Sequence, residues 1–139
     1  MASENGVTIN EDWANLNYYK EENLKLVREG TKKRIVFIGD SITEEWGRIM
    51  PEFFSNNQYV NRGIGGQTTP QILVRFRQDV IDLNPKAVVI LAGTNDIAGN
   101  TGPSSVKMIV DNLMSMAEIA IKQNIQVFMS SILPVFRYP

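Results

Sequence analysis

Residues 34–43 read Arg34-Ile35-Val36-Phe37-Ile38-Gly39-Asp40-Ser41-Ile42-Thr43, and this stretch decides the fold. Ile35 to Ile38 are all apolar and three of the four are β-branched. The run is too short for a helix and has no polar alternation, which predicts a strand buried on both faces. It stops abruptly at Gly39-Asp40-Ser41, where a helix begins.

The same alternation recurs three times. A helix over 43–54 leads to a strand at Tyr59-Val60-Asn61 and a glycine-rich turn, Gly63-Ile64-Gly65-Gly66. Thr68-Thr69-Pro70 then opens a helix with a Thr cap and a Pro at its first turn. Its inward stripe is Ile72 or Leu73, Phe76, Val80 and Leu83, and Asn84-Pro85 stops it. Ala87 to Ala92 is the third strand, ending at Gly93-Thr94-Asn95-Asp96. Gly102-Pro103-Ser104 starts the last helix, with Val106, Ile109, Leu113, Met116 or Ala117 and Ala120 on one face and Asn124 at its end. Ile125 to Leu133 is the fourth strand. Upstream, 11–29 reads as a helix carrying Trp13, Leu16, Leu24 and Val27 at helical spacing, with Gly30 just past its end. Strands alternating with helices imply a parallel sheet with right-handed crossovers, an open, doubly wound α/β sandwich.

Composition limits the chemistry. The chain has 139 residues, 14 Lys+Arg, 15 Asp+Glu, no His and no Cys. A net charge of −1 gives no basic field for nucleic acid, and no apolar run approaches a bilayer span. Without Cys or His there is no thiol nucleophile, no thiolate or imidazole metal site and no complete Ser-His-Asp triad among these residues. Neither metal nor cofactor is expected. The compartment is unreadable: a cytoplasmic protein and one exported after signal removal both fit.

In a doubly wound sheet, ligands bind beyond the carboxyl ends of the strands. Gly39-Asp40-Ser41, 63–67 and 93–96 all fall there. Ser41 opens a helix, so its hydroxyl faces the crevice as a nucleophile requires, unless Ser41 or Thr43 serves only as the helix cap. Gly65-Gly66 allows a backbone N–H to turn inward, or forms an ordinary turn. Asn95 offers an amide N–H₂ to a developing anion, or closes its own loop.

Phe37 to Thr43, Asn61 to Thr69 and Gly93 to Asp96 together resemble three of the four signature blocks of SGNH (GDSL-type) hydrolases, in order, each at a predicted strand end. The likeness leans toward the platelet-activating-factor acetylhydrolase-like branch and bacterial carbohydrate esterases. It implies a three-layer α/β/α sandwich with a flavodoxin-like parallel sheet, four of the family's five strands being present. Residues 1–32 would be an N-terminal helical segment and 33–139 an incomplete hydrolase domain. The resemblance further implies Ser41 as nucleophile, with the Ser41 N–H, the Gly66 N–H and the Asn95 side chain as oxyanion donors. The substrate class would be a carboxylic ester, a short acyl or O-acetyl ester of sugar or lipid, with no cofactor.

The family's fourth block, Asp-x-x-His, has no counterpart here, so a formed but nearly silent site is expected. The apolar strand 125–133 carries no Lys, Arg, Asp or Glu. Such an edge invites pairing, and a missing C-terminal segment, a swapped partner or a second copy would cover it. Two other readings remain open: a non-catalytic scaffold that retains the crevice, and a nucleotide-binding module built on 63–66. The latter lacks the third glycine of a dinucleotide fingerprint, and no Gly-Lys-Ser/Thr occurs.

Overall fold

The computed structural model describes residues 3–4, 7–8, 12–30 and 33–134. Glu11, the start of the first predicted helix, and Arg137-Tyr138-Pro139 lie outside the described residues. Strands β1 (Ser3–Glu4) and β2 (Val7–Thr8) pair antiparallel, a pairing that the sequence pattern does not announce. Helix α1 spans Lys20–Arg28 and is shorter than predicted. The Asp12 carboxylate accepts from Leu16 N at 2.7 Å and Asn17 N at 3.0 Å, drawing 12–19 into turns in place of a helix. The register changes accordingly: Tyr19 and Asn23 are buried, whereas Trp13, Leu24 and Val27, expected inward, are exposed. Gly30 follows the helix end at φ +82°, as expected.

The main sheet holds β3 (Ile35–Gly39), β4 (Tyr59–Gly63), β5 (Ala87–Leu91) and β6 (Gln126–Met129) in the order β4-β3-β5-β6, all parallel. Chain order reverses direction between β3 and β5, so the crevice opens beyond Gly39 and Leu91, which are paired in register. The predicted helix over 43–54 is two helices, α2 (Ser41–Ile49) and α3 (Pro51–Asn56). Met50 leaves the helical region because the ring of Pro51 disfavours it there. Helix α4 (Thr69–Asp79) continues as a 3₁₀ turn, Ile81–Leu83, and stops at Asn84 in the left-handed region. A four-residue helix α5 (Thr94–Ile97) precedes α6 (Val106–Lys122).

Val36, Ile38, Val88 and Ile90 pack with Ile72 and Phe76 of α4 and Met116 and Ala120 of α6 on one side of the sheet. Val106, expected on that face, is exposed at the helix start. On the other side Phe37 meets Trp46, Phe53, Phe54 and Tyr59 at ring separations of 5.2–6.2 Å, with Trp46 stacked on Phe53 at 4.7 Å. Trp46 therefore works mainly in packing. Strand β6 is shorter than 125–133 because its partner ends at Leu91, after which Ser130 N still reaches Ile90 O at 2.9 Å. Its outer edge is unpaired among the described residues, and Phe128 and Met129 are nearly half exposed.

Candidate active site

Each polar turn expected at the crevice follows a parallel strand. At the first, Asp40 is the helix cap: its Oδ1 accepts from Ile42 N at 3.0 Å. That removes capping from Ser41, which stands at the first position of α2, partly exposed. The reading of Ser41 or Thr43 as a mere cap is thereby replaced. Asp40 itself is buried, and its second oxygen has no partner among the described residues. Burial pushes its carboxyl above the ordinary range, against the pull of the Ile42 N–H. Asp40 lines a 130 Å³ cavity with Ile42, Leu91, Ala92, Thr94, Ile132 and Leu133.

The second turn lies beside Ser41. A Cβ placed on Gly65 would sit 3.7 Å from the Ser41 Cβ and 3.5 Å from Glu44 Oε1. Helix α2 comes this close because Gly63 has no side chain; a Cβ there would fall 2.2 Å from Glu44 N. Gln67 N reaches Ile64 O at 3.4 Å, and Gly66 has φ +76°, the pattern of a type II turn with glycine at its third position. Three side chains hold that turn. Glu44 accepts from Gly65 N at 3.3 Å, Asn100 donates to Gly66 O at 3.0 Å, and Asn95 donates to Gln67 O at 2.9 Å. Tyr18 donates in turn to Glu44 at 3.1 Å.

The third turn places Asn95 in α5, directly against the second. One of its two amide hydrogens is spent on Gln67 O, and a primary amide has a second to offer. The neighbouring Asp96 is buried, and its carboxylate accepts from Thr69 N at 2.8 Å and from the Thr69 hydroxyl. Ser41, Gly66 and Asn95 are thus linked in space: Ser41 abuts Gly65, and Asn95 bonds the residue after Gly66.

Beneath the crevice lies a group that pattern reading overlooked. Arg75 of α4 is fully buried; its guanidinium donates to Gln67 Oε1 at 2.6 Å, Arg62 O at 2.9 Å, Asp79 Oδ2 at 3.0 Å and Gly39 O at 3.0 Å. It ties the ends of β3 and β4 to the second turn. The i,i+4 pairing of Arg75 with Asp79 beside inward-facing Ile72 and Phe76 was the available signal. Glu44 and Asn100 gave none, because contacts between loops leave no local pattern.

Among the described residues, no cluster of His, Cys, Asp or Glu suits a metal ion, and no helix is long and apolar enough to cross a membrane. A groove of 570 Å³ runs between α1, α3 and the outer edge of β4, and none of Ser41, Gly66 or Asn95 lines it.

The sequence pattern of the GDSL-like lipase/acylhydrolase family matches residues 37–139. A crystal structure of a Bacteroides fragilis protein described as an acylhydrolase superposes with a TM-score of 0.86 at 49% identity, over 90% of this chain and 61% of that one. A GDSL-like lipase from Bacteroides thetaiotaomicron gives 0.84 at 48% identity, over 91% and 62%. Among curated proteins, platelet-activating factor acetylhydrolase IB subunit alpha2 of Homo sapiens is 31% identical over 103 residues, 60% of this chain and 45% of that protein. The chain spans less than half the length of such curated relatives, 40% for the Bacillus subtilis lipoprotein YqeF, and about three fifths of the two bacterial structures.

Proposed function

The chain belongs to the GDSL-like lipase/acylhydrolase family, and on that premise we propose that it carries the nucleophile and the oxyanion donors of a serine esterase. The substrate is a small carboxylic ester, a short acyl or O-acetyl ester of a sugar or lipid. The observation that carries this reading is the close approach of Ser41 to the Gly65-Gly66 turn, where a side chain on Gly65 would touch the Ser41 Cβ, together with the Asn95 amide bonded to Gln67 O at the end of that turn.

In the reaction, Ser41 Oγ attacks the ester carbonyl carbon and its proton leaves to a base. The tetrahedral oxyanion is met by Ser41 N–H, Gly66 N–H and the second amide hydrogen of Asn95. The C–O bond to the alcohol breaks, the alcohol takes the proton, and water then hydrolyses the acyl-serine. The N-terminus of α2 adds favourable potential for the developing charge.

The base is supplied from outside these 139 residues. They contain no His. Asp96 spends its carboxylate on Thr69, and Asp40, whose Oδ1 caps Ile42, offers only a carboxylate oxygen, a far weaker base toward a serine hydroxyl than an imidazole. The polypeptide that brings an imidazole also covers the open edge of β6, and residues 33–139 alone make a formed but nearly silent site. Loss of the histidine costs a serine protease about 10⁶-fold in kcat. The nucleotide-binding alternative loses support because the N–H of Thr69, at the N-terminus of α4 where a phosphate would dock, already bonds a carboxylate.

The test is a fluorophosphonate probe with intact-mass and peptide readout. Slow adduct formation confined to Ser41, and abolished in Ser41→Ala, is expected. No adduct at Ser41 after prolonged exposure would refute the esterase reading and favour a scaffold that only retains the crevice.

A further inference from the structure

We propose that Asn100 is a positioning residue for the turn that presents the Gly66 N–H, a role that rests on the esterase reading above. Gly66 has no side chain to anchor it, and the nearest atom to where its Cβ would be is Asn100 Nδ2, at 3.9 Å. The Asn100 amide donates to the Gly66 carbonyl at 3.0 Å. Glu44 holds the preceding peptide from the opposite side through Gly65 N. Between these two clamps lies the Gly65–Gly66 peptide, whose N–H is the oxyanion donor. A glycine pair left unclamped samples both signs of φ, and rotation of the peptide between the two glycines turns the donor away from the crevice.

Asn100 is exposed, yet its own position is fixed. Its N–H bonds Asn95 O at 3.1 Å, Gly102 N closes the tip on Gly99 O at 3.0 Å, and Thr101 Oγ1 donates to Thr68 Oγ1 at 3.0 Å. The same loop therefore carries both clamps: the Asn95 side chain holds Gln67, and the Asn95 carbonyl steadies the residue that holds Gly66. The two turns move as one unit, so the donors keep a common geometry before any substrate arrives.

Because Asn100 lies at the surface, its replacement should leave the fold intact, and two variants of the full chain test the role. Asn100→Ala removes the side chain; Asn100→Asp keeps the shape and loses the donor. Both should broaden the Gly65 and Gly66 amide resonances by microsecond-to-millisecond exchange while the melting temperature stays within about 2 °C, the surface-site expectation. In Asn100→Asp the sharp resonances should return below pH of about 4, where the introduced carboxyl is protonated and donates again. The wild-type chain at the same pH controls for titration of Glu44 across the turn and of nearby Asp96. Ser41 labelling by the fluorophosphonate should slow about tenfold in both variants, less than the roughly 10²–10³ for deleting a donor outright. Sharp amide resonances in both variants overturn the proposal, as does a mobile turn with an unchanged labelling rate. If wild type itself fails to label, the esterase reading falls, while the resonances still decide whether Asn100 holds the turn.

Discussion

Replacing Arg75 with Met removes the guanidinium and keeps most of the volume. Arg75 and Asp79 are both fully buried and bonded at 3.0 Å. After the change Asp79 keeps only the Asn23 amide, at 2.6 Å, and the carbonyls of Gly39 and Arg62 lose this donor. Stranding one member of a buried ion pair costs about 3–5 kcal/mol. That is a large share of the roughly 5–15 kcal/mol of a typical domain. At about 3 °C per kcal/mol for a chain of this size, melting should fall by roughly 10–15 °C. Urea unfolding followed by the fluorescence of Trp13 and Trp46 measures it. Arg75→Met with Asp79→Leu also removes the stranded carboxylate and should recover about 2 kcal/mol of the loss. A single variant that loses under about 1 kcal/mol, or a double variant no better than the single, would refute this placement of the charge.

Gly63→Ala and Gly66→Ala should separate packing from geometry. The first drives a Cβ to 2.2 Å from backbone nitrogen of α2 and should cost at least about 1–3 kcal/mol in denaturant unfolding. The second meets only the Asn100 amide, at an ordinary 3.9 Å, but has a φ of +76°, so about 1–2 kcal/mol is expected, with a far larger loss of Ser41 labelling. Asp40→Asn tests burial of the carboxyl. With its folded pKa raised above the ordinary 3.8, Asp40 favours the native state most when protonated, and that contribution is lost as pH rises through the folded pKa. The Asn variant, which still caps Ile42, should therefore match or exceed wild-type melting at pH 7 and lose that advantage under acid. A variant less stable at neutral pH and equal in acid would reverse the assignment.

The strands and the crevice were legible because each rests on a local pattern. Ile35 to Ile38 and Ala87 to Leu91 are apolar runs that only a buried strand explains, and the turns after them are polar by necessity. The first helix was misread because one carboxylate, Asp12, outbids helix formation over 12–19, a contest that spacing does not reveal. The single helix expected over 43–54 runs through Pro51, whereas the proline ring drives Met50 out of the helical region and divides it in two. At the site, Ser41, Gly66 and Asn95 each follow a strand and so announce themselves. Arg75, Glu44 and Asn100 act across 13 to 36 residues of chain, through carbonyls and N–H groups of other segments, and composition carries no trace of such contacts.

The most direct test of a preformed nucleophile lacking its base is to supply the base. Hydrolysis of a short acyl ester by this chain should rise with added imidazole beyond the protein-free imidazole rate, that excess should saturate, and Ser41→Ala should abolish it. An imidazole-dependent rate identical in the two proteins would contradict the account.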